Sequence, residues 1–370
     1  MAKPKRRGNG EGTVYYNGKY WTGQVTVGHD IETGKLKRKS IYSKTKREVN
    51  EKIIEMQNSV NKGTFSDPTN ATVGEWANYW LENYKKHQVN DTTFETYEYQ
   101  FKNHIIEPFG EIKLKNLTTF QIQEYLNKMK KNGMSSTYVK MIRTVLNGML
   151  NQAVKLEAIA KNPCANIVLP KAGNKKEVKA LTKEEQQKFI QYCYEKSEFL
   201  FIFMLGTGVR ISEALGLTWD CVDFNNEIIK IKNIVVELKG KPKLQNYPKT
   251  DTSIRDVPMS VKVKEIMLKL YDNKITNEFN VVFPSHGNKL NYTLVIRQKL
   301  DKISTILDME EINPHMLRHT FATRMLEAGA NIKVLSEILG HKNIQITLDT
   351  YAHVMPDTKK ENIEKIDDFL

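Results

Sequence analysis

The chain has 370 residues, more than a single hydrophobic core ordinarily serves, so two or three domains are expected. Its 56 Lys and Arg outnumber 43 Asp and Glu and leave a net charge of +13, which favours a polyanionic partner through long-range attraction and counterion release. The composition argues against a membrane span, an export signal and a disulfide scaffold. The longest apolar run, Phe199 to Leu205, is far too short to cross a bilayer, the basic start has no apolar stretch behind it, and Cys164, Cys193 and Cys221 make no short metal-type pair.

Residues 1–52 carry 13 Lys and Arg against five Asp and Glu, over half of the net charge, and also hold aromatic and β-branched residues that basic disordered tails lack. Thr13 to Tyr16, Asn17-Gly18 and Lys19 to Val27 read as a hairpin, because Asn-Gly tolerates the positive φ of a tight turn. A third strand is expected from Leu36 to Tyr42, after the polar turn His29 to Lys35. Thr45 and Glu48 have capping-box spacing and open a helix running to Val60. Breakers from Lys62 to Thr69 mark a linker.

From 72 to 162 apolar residues recur at helical spacing on four faces: Val73, Trp76, Ala77, Trp80, Leu81 and Tyr84; Phe94, Tyr97, Phe101 and Ile105; Ile122, Tyr125, Leu126 and Met129; Val139, Ile142, Leu146, Met149 and Ala153. Such a helical module without a catalytic cluster suggests a binding domain. Its aromatics belong in the core, which leaves Lys85, Lys86, Lys102, Lys140 and Arg143 as the contacts to a polyanion. Asn162-Pro163 ends the last helix, and Pro170 to Lys176 reads as a second linker. Thr182 to Glu185 caps the first helix of a third module, with a buried helix before Arg210, short strands at 228–232, 235–238 and 255–259, and helices onward to Leu370. The fold class expected is mainly α with small antiparallel β-sheets, in three domains at 1–63, 70–168 and 176–370.

The chemistry lies in the third module. Arg210 sits in Thr207-Gly208-Val209-Arg210-Ile211-Ser212-Glu213, His315 and Arg318 in Pro314-His315-Met316-Leu317-Arg318-His319-Thr320, His341 after Leu339-Gly340, and Tyr351 before an amphipathic tail. Two guanidiniums can fork onto phosphoryl oxygens, imidazoles move protons near neutral pH, and a phenol can attack phosphorus to leave a phosphotyrosine.

Gly208-x-Arg210-x-x-Glu213-x-x-x-Leu217-x-Trp219, His315-x-x-Arg318-His319, Leu339-Gly340-His341 and Tyr351-x-His353, in that order, resemble the tyrosine recombinases, specifically integrases of temperate phages and conjugative transposons. The resemblance spans essentially the whole chain. It implies an arm-type DNA-binding domain at the start, a helical core-binding domain gripping the crossover site, and a catalytic domain. Pro248-Lys249-Thr250, with Ser253, Arg255, Val257 and Pro258, resembles the family's hairpin whose lysine protonates the departing 5′-oxygen. The implied catalytic set is Arg210, Lys249, His315, Arg318, His341 and the nucleophile Tyr351, with His315 shuttling the tyrosine proton, Glu213 orienting Arg210, and His319 making a structural hydrogen bond. Further implications are double-stranded attachment-site DNA as substrate, a homotetramer on it, an excision factor and a host DNA-bending protein as partners, no cofactor or metal, and a cytoplasmic, nucleoid-associated location in a bacterial host. The tail, with Ile363, Ile366, Phe369 and Leu370 at helical spacing, must pack on something, either its own catalytic domain or, as the resemblance implies, a neighbouring protomer.

Rival readings turn on the same residues. His315 and His319 have the i, i+4 spacing of a zinc helix, but Met316 stands where a metalloprotease carries glutamate and no acidic third ligand follows. A type IB topoisomerase shares the chemistry without the arm module, and a non-catalytic DNA-binding regulator has no need of Tyr351 with Lys249 and both arginines.

Overall fold

The computed structural model describes residues 13–29, 36–61, 71–169, 179–246 and 254–351. The chain divides into two compact units, 1–174 and 175–370. In the first, β1 (Thr13–Tyr16), β2 (Trp21–His29) and β3 (Leu36–Ser43) form an antiparallel sheet in chain order. The first turn is wider than Asn-Gly alone suggests. Tyr16 pairs with Trp21, and the Asn17 side chain accepts the backbone N–H groups of Lys19 and Tyr20, so a four-residue loop replaces the two-residue turn. Helix α1 (Lys46–Asn61) follows Thr45, whose hydroxyl accepts the Glu48 N–H, and seats Val49 and Ile53 over Val25. Gly23 permits that approach, since a Cβ there would lie 2.7 Å from the Val49 side chain.

A separate core serves the helical segment. Helix α2 (Val73–Trp80) runs into a π-turn at Leu81–Lys85, and α3 (Asp91–Phe101) into a second at Lys102–Ile106 and then the short α4 (Glu107–Phe109). Helices α5 (Thr119–Lys131) and α6 (Ser136–Lys155) complete it. Thr72 with Glu75 and Thr118 with Gln121 form capping boxes, which satisfy N–H groups that a helix start leaves open. Trp80 stacks on Phe101 at 5.5 Å, and the Trp76 indole donates to the Met149 carbonyl. The expected aromatic core is therefore present. Arg143 directs its guanidinium at the Cys164 and Ala165 carbonyls, Lys86 pairs with Glu82, and Lys85 lies over the Trp80 and Tyr97 rings, so these three are engaged within the fold rather than simply presented to a partner.

The second unit is built on α7 (Lys183–Glu195), α8 (Phe199–Thr207), α9 (Ile211–Leu215), α10 (Val261–Asp272), α11 (Thr293–Ile306), α12 (Pro314–Glu327), α13 (Ile332–Leu339) and α14 (Ile344–Tyr351). Helix α8 is apolar all round and is accordingly buried, packing on α12, α10 and α7. Strands β4 (Val222–Asp223), β5 (Ile228–Ile231) and β8 (Arg255–Pro258) make one antiparallel sheet, and β6 (Asn233–Leu238) with β7 (Lys241–Asn246) a hairpin. Strand β7 escapes sequence reading because Lys241-Pro242-Lys243-Leu244-Gln245-Asn246 is polar and contains proline, which only an edge strand tolerates. Its signal is the turn: Lys239 and Gly240 both have positive φ, as a two-residue hairpin loop demands.

The three cysteines are buried with free thiols; burial pushes Cys193 up to about 12 and Cys164 up to about 11. No helix among the described residues is long and apolar enough to cross a membrane.

Candidate active site

Arg210 is the N-cap residue of α9, one turn beyond the end of α8. Gly208 makes that connection at φ +66°, and a Cβ there would sit 2.3 Å from the Phe321 ring, so both backbone conformation and space require glycine. The Arg210 side chain is one-third exposed; its Nη1 donates to Glu213 Oε1 at 2.9 Å and its backbone N–H to Oε2 at 2.8 Å. Glu213 thus orients Arg210 as expected. The carboxylate has no exposed surface: burial pushes its pKa up, but the hydrogen bonds and charge of Arg255, with Arg210 behind them, override this and hold it at about 2.

Arg318 comes from the α12 helix, which Asn313 caps and Pro314 begins. It is buried, with Nη1 on the Gly208 carbonyl at 2.9 Å and Nη2 on the Leu339 carbonyl at 2.7 Å and His341 Nε2 at 2.9 Å. Burial, and then the charge of Arg210, bring its value down to about 10, so it remains a cation at neutral pH. His341 follows Gly340, the left-handed residue that ends α13 at φ +64°. Its Nδ1 meets the Thr347 hydroxyl at 2.8 Å, and burial together with Arg318 and Arg210 takes it to about 4, leaving a neutral ring.

Tyr351 ends α14, with its ring buried among Ala322, Leu326, Leu335 and Leu339 and its value raised to about 12 by that burial. Its hydroxyl meets His319 Nδ1 at 2.6 Å. The imidazole on the tyrosine oxygen is His319; His315, expected to shuttle the tyrosine proton, is exposed one turn earlier. Residues four apart share a face of the helix, so the choice between them is made by where α14 ends. Desolvation, His315 and Arg318 lower His319 to about 4, so its Nδ1 is available as a neutral acceptor; His315 is lowered in the same direction by desolvation and the charges of Arg318, Arg297 and Arg210.

Arg318 thus contacts His341, Arg210 reaches the Gly340 carbonyl before it, and Tyr351 contacts His319, the neighbour of Arg318 in sequence. Lys249 lies outside the described residues, as do His353 and the tail; the strands on either side of Lys249 end at Asn246 and resume at Arg255. Sequence reasoning missed Arg255 itself. Its side chain is only 7% exposed, its Nη1 and Nη2 donate to the two Glu213 oxygens at 3.1 and 2.8 Å, and its Nε donates to the Ile338 carbonyl at 2.6 Å. Two guanidiniums on one carboxylate, with Arg318 close enough to feel the charges of all three, form a cationic site suited to a doubly anionic pentacoordinate phosphorus. Among the described residues no cluster of three or more His, Cys, Asp or Glu is arranged to hold a metal.

Comparison with known proteins bears on the family and the fold. The profile of the phage integrase family matches residues 175–357, and that of the phage integrase N-terminal SAM-like domain matches 72–130. A protein described as tyrosine recombinase XerC-like, from Caldanaerobacter subterraneus subsp. tengcongensis, is 33% identical over 96% of this chain and 97% of its own. The transposase from transposon Tn916 of Enterococcus faecalis is 26% identical over 85% of this chain and 83% of its own. Among solved structures, the Tn1549 transposon integrase in complex with a circular intermediate DNA superposes with a TM-score of 0.70 at 23% identity, covering 80% of this chain and 99% of that one. A lambda integrase dimer bound to a COC′ core site gives 0.59 at 17% identity, over 94% and 96% of the two chains.

Proposed function

The chain belongs to the phage integrase family of tyrosine recombinases, which act in site-specific recombination on DNA, and from that premise we propose that it integrates and excises a mobile element through a 3′-phosphotyrosyl intermediate. The observation that supports this reading is the convergence of four segments: Arg210 reaches the Gly340 carbonyl, Arg318 bonds His341, and Tyr351 bonds His319, the residue after Arg318. Arg210 and Arg318 hold the scissile phosphate and offset its growing charge, and His341 hydrogen-bonds a phosphate oxygen. Tyr351 attacks phosphorus; its proton passes first to His319 and then to solvent through His315, one helical turn away. Lys249 protonates the departing 5′-oxygen. The phosphodiester bond energy is kept in the protein–DNA link, and a 5′-hydroxyl of the partner strand reverses the step.

The three proposed domains at 1–63, 70–168 and 176–370 divide the labour into arm binding, core binding and catalysis. Separate apolar clusters around Val49, Trp80 and Phe203 support that division. The substrate is double-stranded attachment-site DNA and the working assembly a homotetramer, by analogy with the lambda integrase tetramer bound to a Holliday junction. An excision factor and a host DNA-bending protein set the direction of the reaction, and the enzyme works in the bacterial cytoplasm on the nucleoid. The test is a suicide substrate nicked beside the crossover point. Tyr351→Phe should bind it as well as wild type and form no covalent adduct, and an adduct from that variant would move the nucleophile elsewhere, with Tyr292 and Tyr271 next to be tested.

A further inference from the structure

We propose that Arg255 is a positioning residue for strand cleavage: it neutralises Glu213 and thereby leaves the charge of Arg210 available to the scissile phosphate. The proposal rests on reading Arg210 as a phosphate ligand. Glu213 lies wholly buried between two guanidiniums, yet one carboxylate can offset only one positive charge. Arg255 meets it with two parallel hydrogen bonds from Nη1 and Nη2, whereas the Arg210 side chain gives it one. The bidentate partner is also the buried one, so the pairing of Arg255 with Glu213 is little screened by water, while the one-third exposed Arg210 is held in place and left cationic. Without Arg255, Glu213 would face Arg210 alone. The clamp would then lose one unit of positive charge, and a carboxylate would stand beside an anionic substrate.

The same side chain fixes a second part of the site. Its Nε bonds to the Ile338 carbonyl, and a Cβ on Gly340 would lie 2.9 Å from Nη1, so the guanidinium packs against the chain immediately before His341. Arg255 is also the first residue of β8, the strand that leaves the segment containing Lys249. One buried side chain therefore links the segments that carry Arg210 and His341 from the strand that follows Lys249.

The experiment compares cleavage by the full chain on two suicide substrates, one with an ordinary scissile phosphate and one with a methylphosphonate, which lacks a negative charge there. Arg255→Met should slow cleavage of the phosphodiester by about a hundredfold, as loss of a preorganised cation does, and stay within about fivefold of wild type on the methylphosphonate. Glu213→Gln/Arg255→Met, which removes both charges, should recover at least about tenfold of the loss on the phosphodiester. An equal loss on both substrates, or no recovery in the double variant, would show that Arg255 only packs and would overturn the proposal. Arg210→Ala separates the two layers of the argument. If it shows no substrate dependence, the phosphate-ligand reading fails and this proposal falls with it; if it does and Arg255→Met does not, only the role of Arg255 is refuted. Should Arg255→Met not fold, the charge-balanced double variant is read directly. Cleavage within about tenfold of wild type supports the proposal, and cleavage as slow as that of Arg210→Ala overturns it.

Discussion

Glu213→Gln removes the charge at the centre of the site without changing its shape, and its cost can be worked from the surroundings of that carboxyl. The folded-state value of about 2 lies well below the ordinary 4.5 because Arg255 and Arg210 outweigh the effect of burial. At about 1.4 kcal/mol per pH decade, the difference corresponds to about 3 kcal/mol of stability at neutral pH. A folded-state value below the unfolded one means that this contribution is complete above about pH 4.5 and is lost as pH falls toward 2. The amide keeps an acceptor for the Arg210 N–H but leaves the buried Arg255 guanidinium without its counter-charge, a kind of loss that costs about 3–5 kcal/mol. Urea denaturation of wild type and variant, followed through the transition of the 175–370 unit, should therefore differ by about 3 kcal/mol at pH 7. At pH 3.5 the gap should narrow by about 1.4 kcal/mol, because wild type alone loses the contribution of this carboxylate. A gap below about 1 kcal/mol at pH 7, or one that does not change between the two pH values, would refute the idea that Glu213 is held ionised by its two arginines.

Lys249→Ala should be slow on ordinary DNA and largely rescued by a 5′-bridging phosphorothiolate, whose thiolate leaves without a proton; equal impairment on both substrates would remove Lys249 as the general acid. Gly208→Ala adds a Cβ 2.3 Å from the Phe321 ring at a positive φ, so thermal unfolding should show a loss of about 2–5 kcal/mol, and cleavage should fall because the Gly208 carbonyl holds Arg318. An unchanged midpoint would contradict the close approach of α8 and α12. Deleting residues 1–63 should abolish binding to arm sites while leaving weak cleavage at the core site. Binding by the arm segment should weaken with salt by about 0.9 log units per log unit of salt for each phosphate neutralised, and unaltered recombination by the truncated protein would refute the domain assignment.

The sequence alone determined what depends on short-range pattern. The capping box at Thr182, the apolar helix Phe199–Thr207 and the four apolar faces of the helical module follow from the chemistry of residues within a few positions of one another. Glu213 on Arg210 was legible for the same reason, being one helical turn away. The order of Arg210, His315, Arg318, His341 and Tyr351 fixed the class of chemistry, because few other reactions need that set. Tertiary structure decided which of these groups touch. Nothing in local spacing distinguishes His315 from His319 as the partner of Tyr351, since both lie on one face of α12 and the choice depends on where α14 ends. Arg255 looked like one more cation beside a hairpin until β8 paired with β5 and brought it to the buried carboxylate of Glu213, 42 residues earlier in the chain. Burial decides the remaining point, because only a desolvated carboxylate shared unequally by two arginines can neutralise one and leave the other charged for a phosphate.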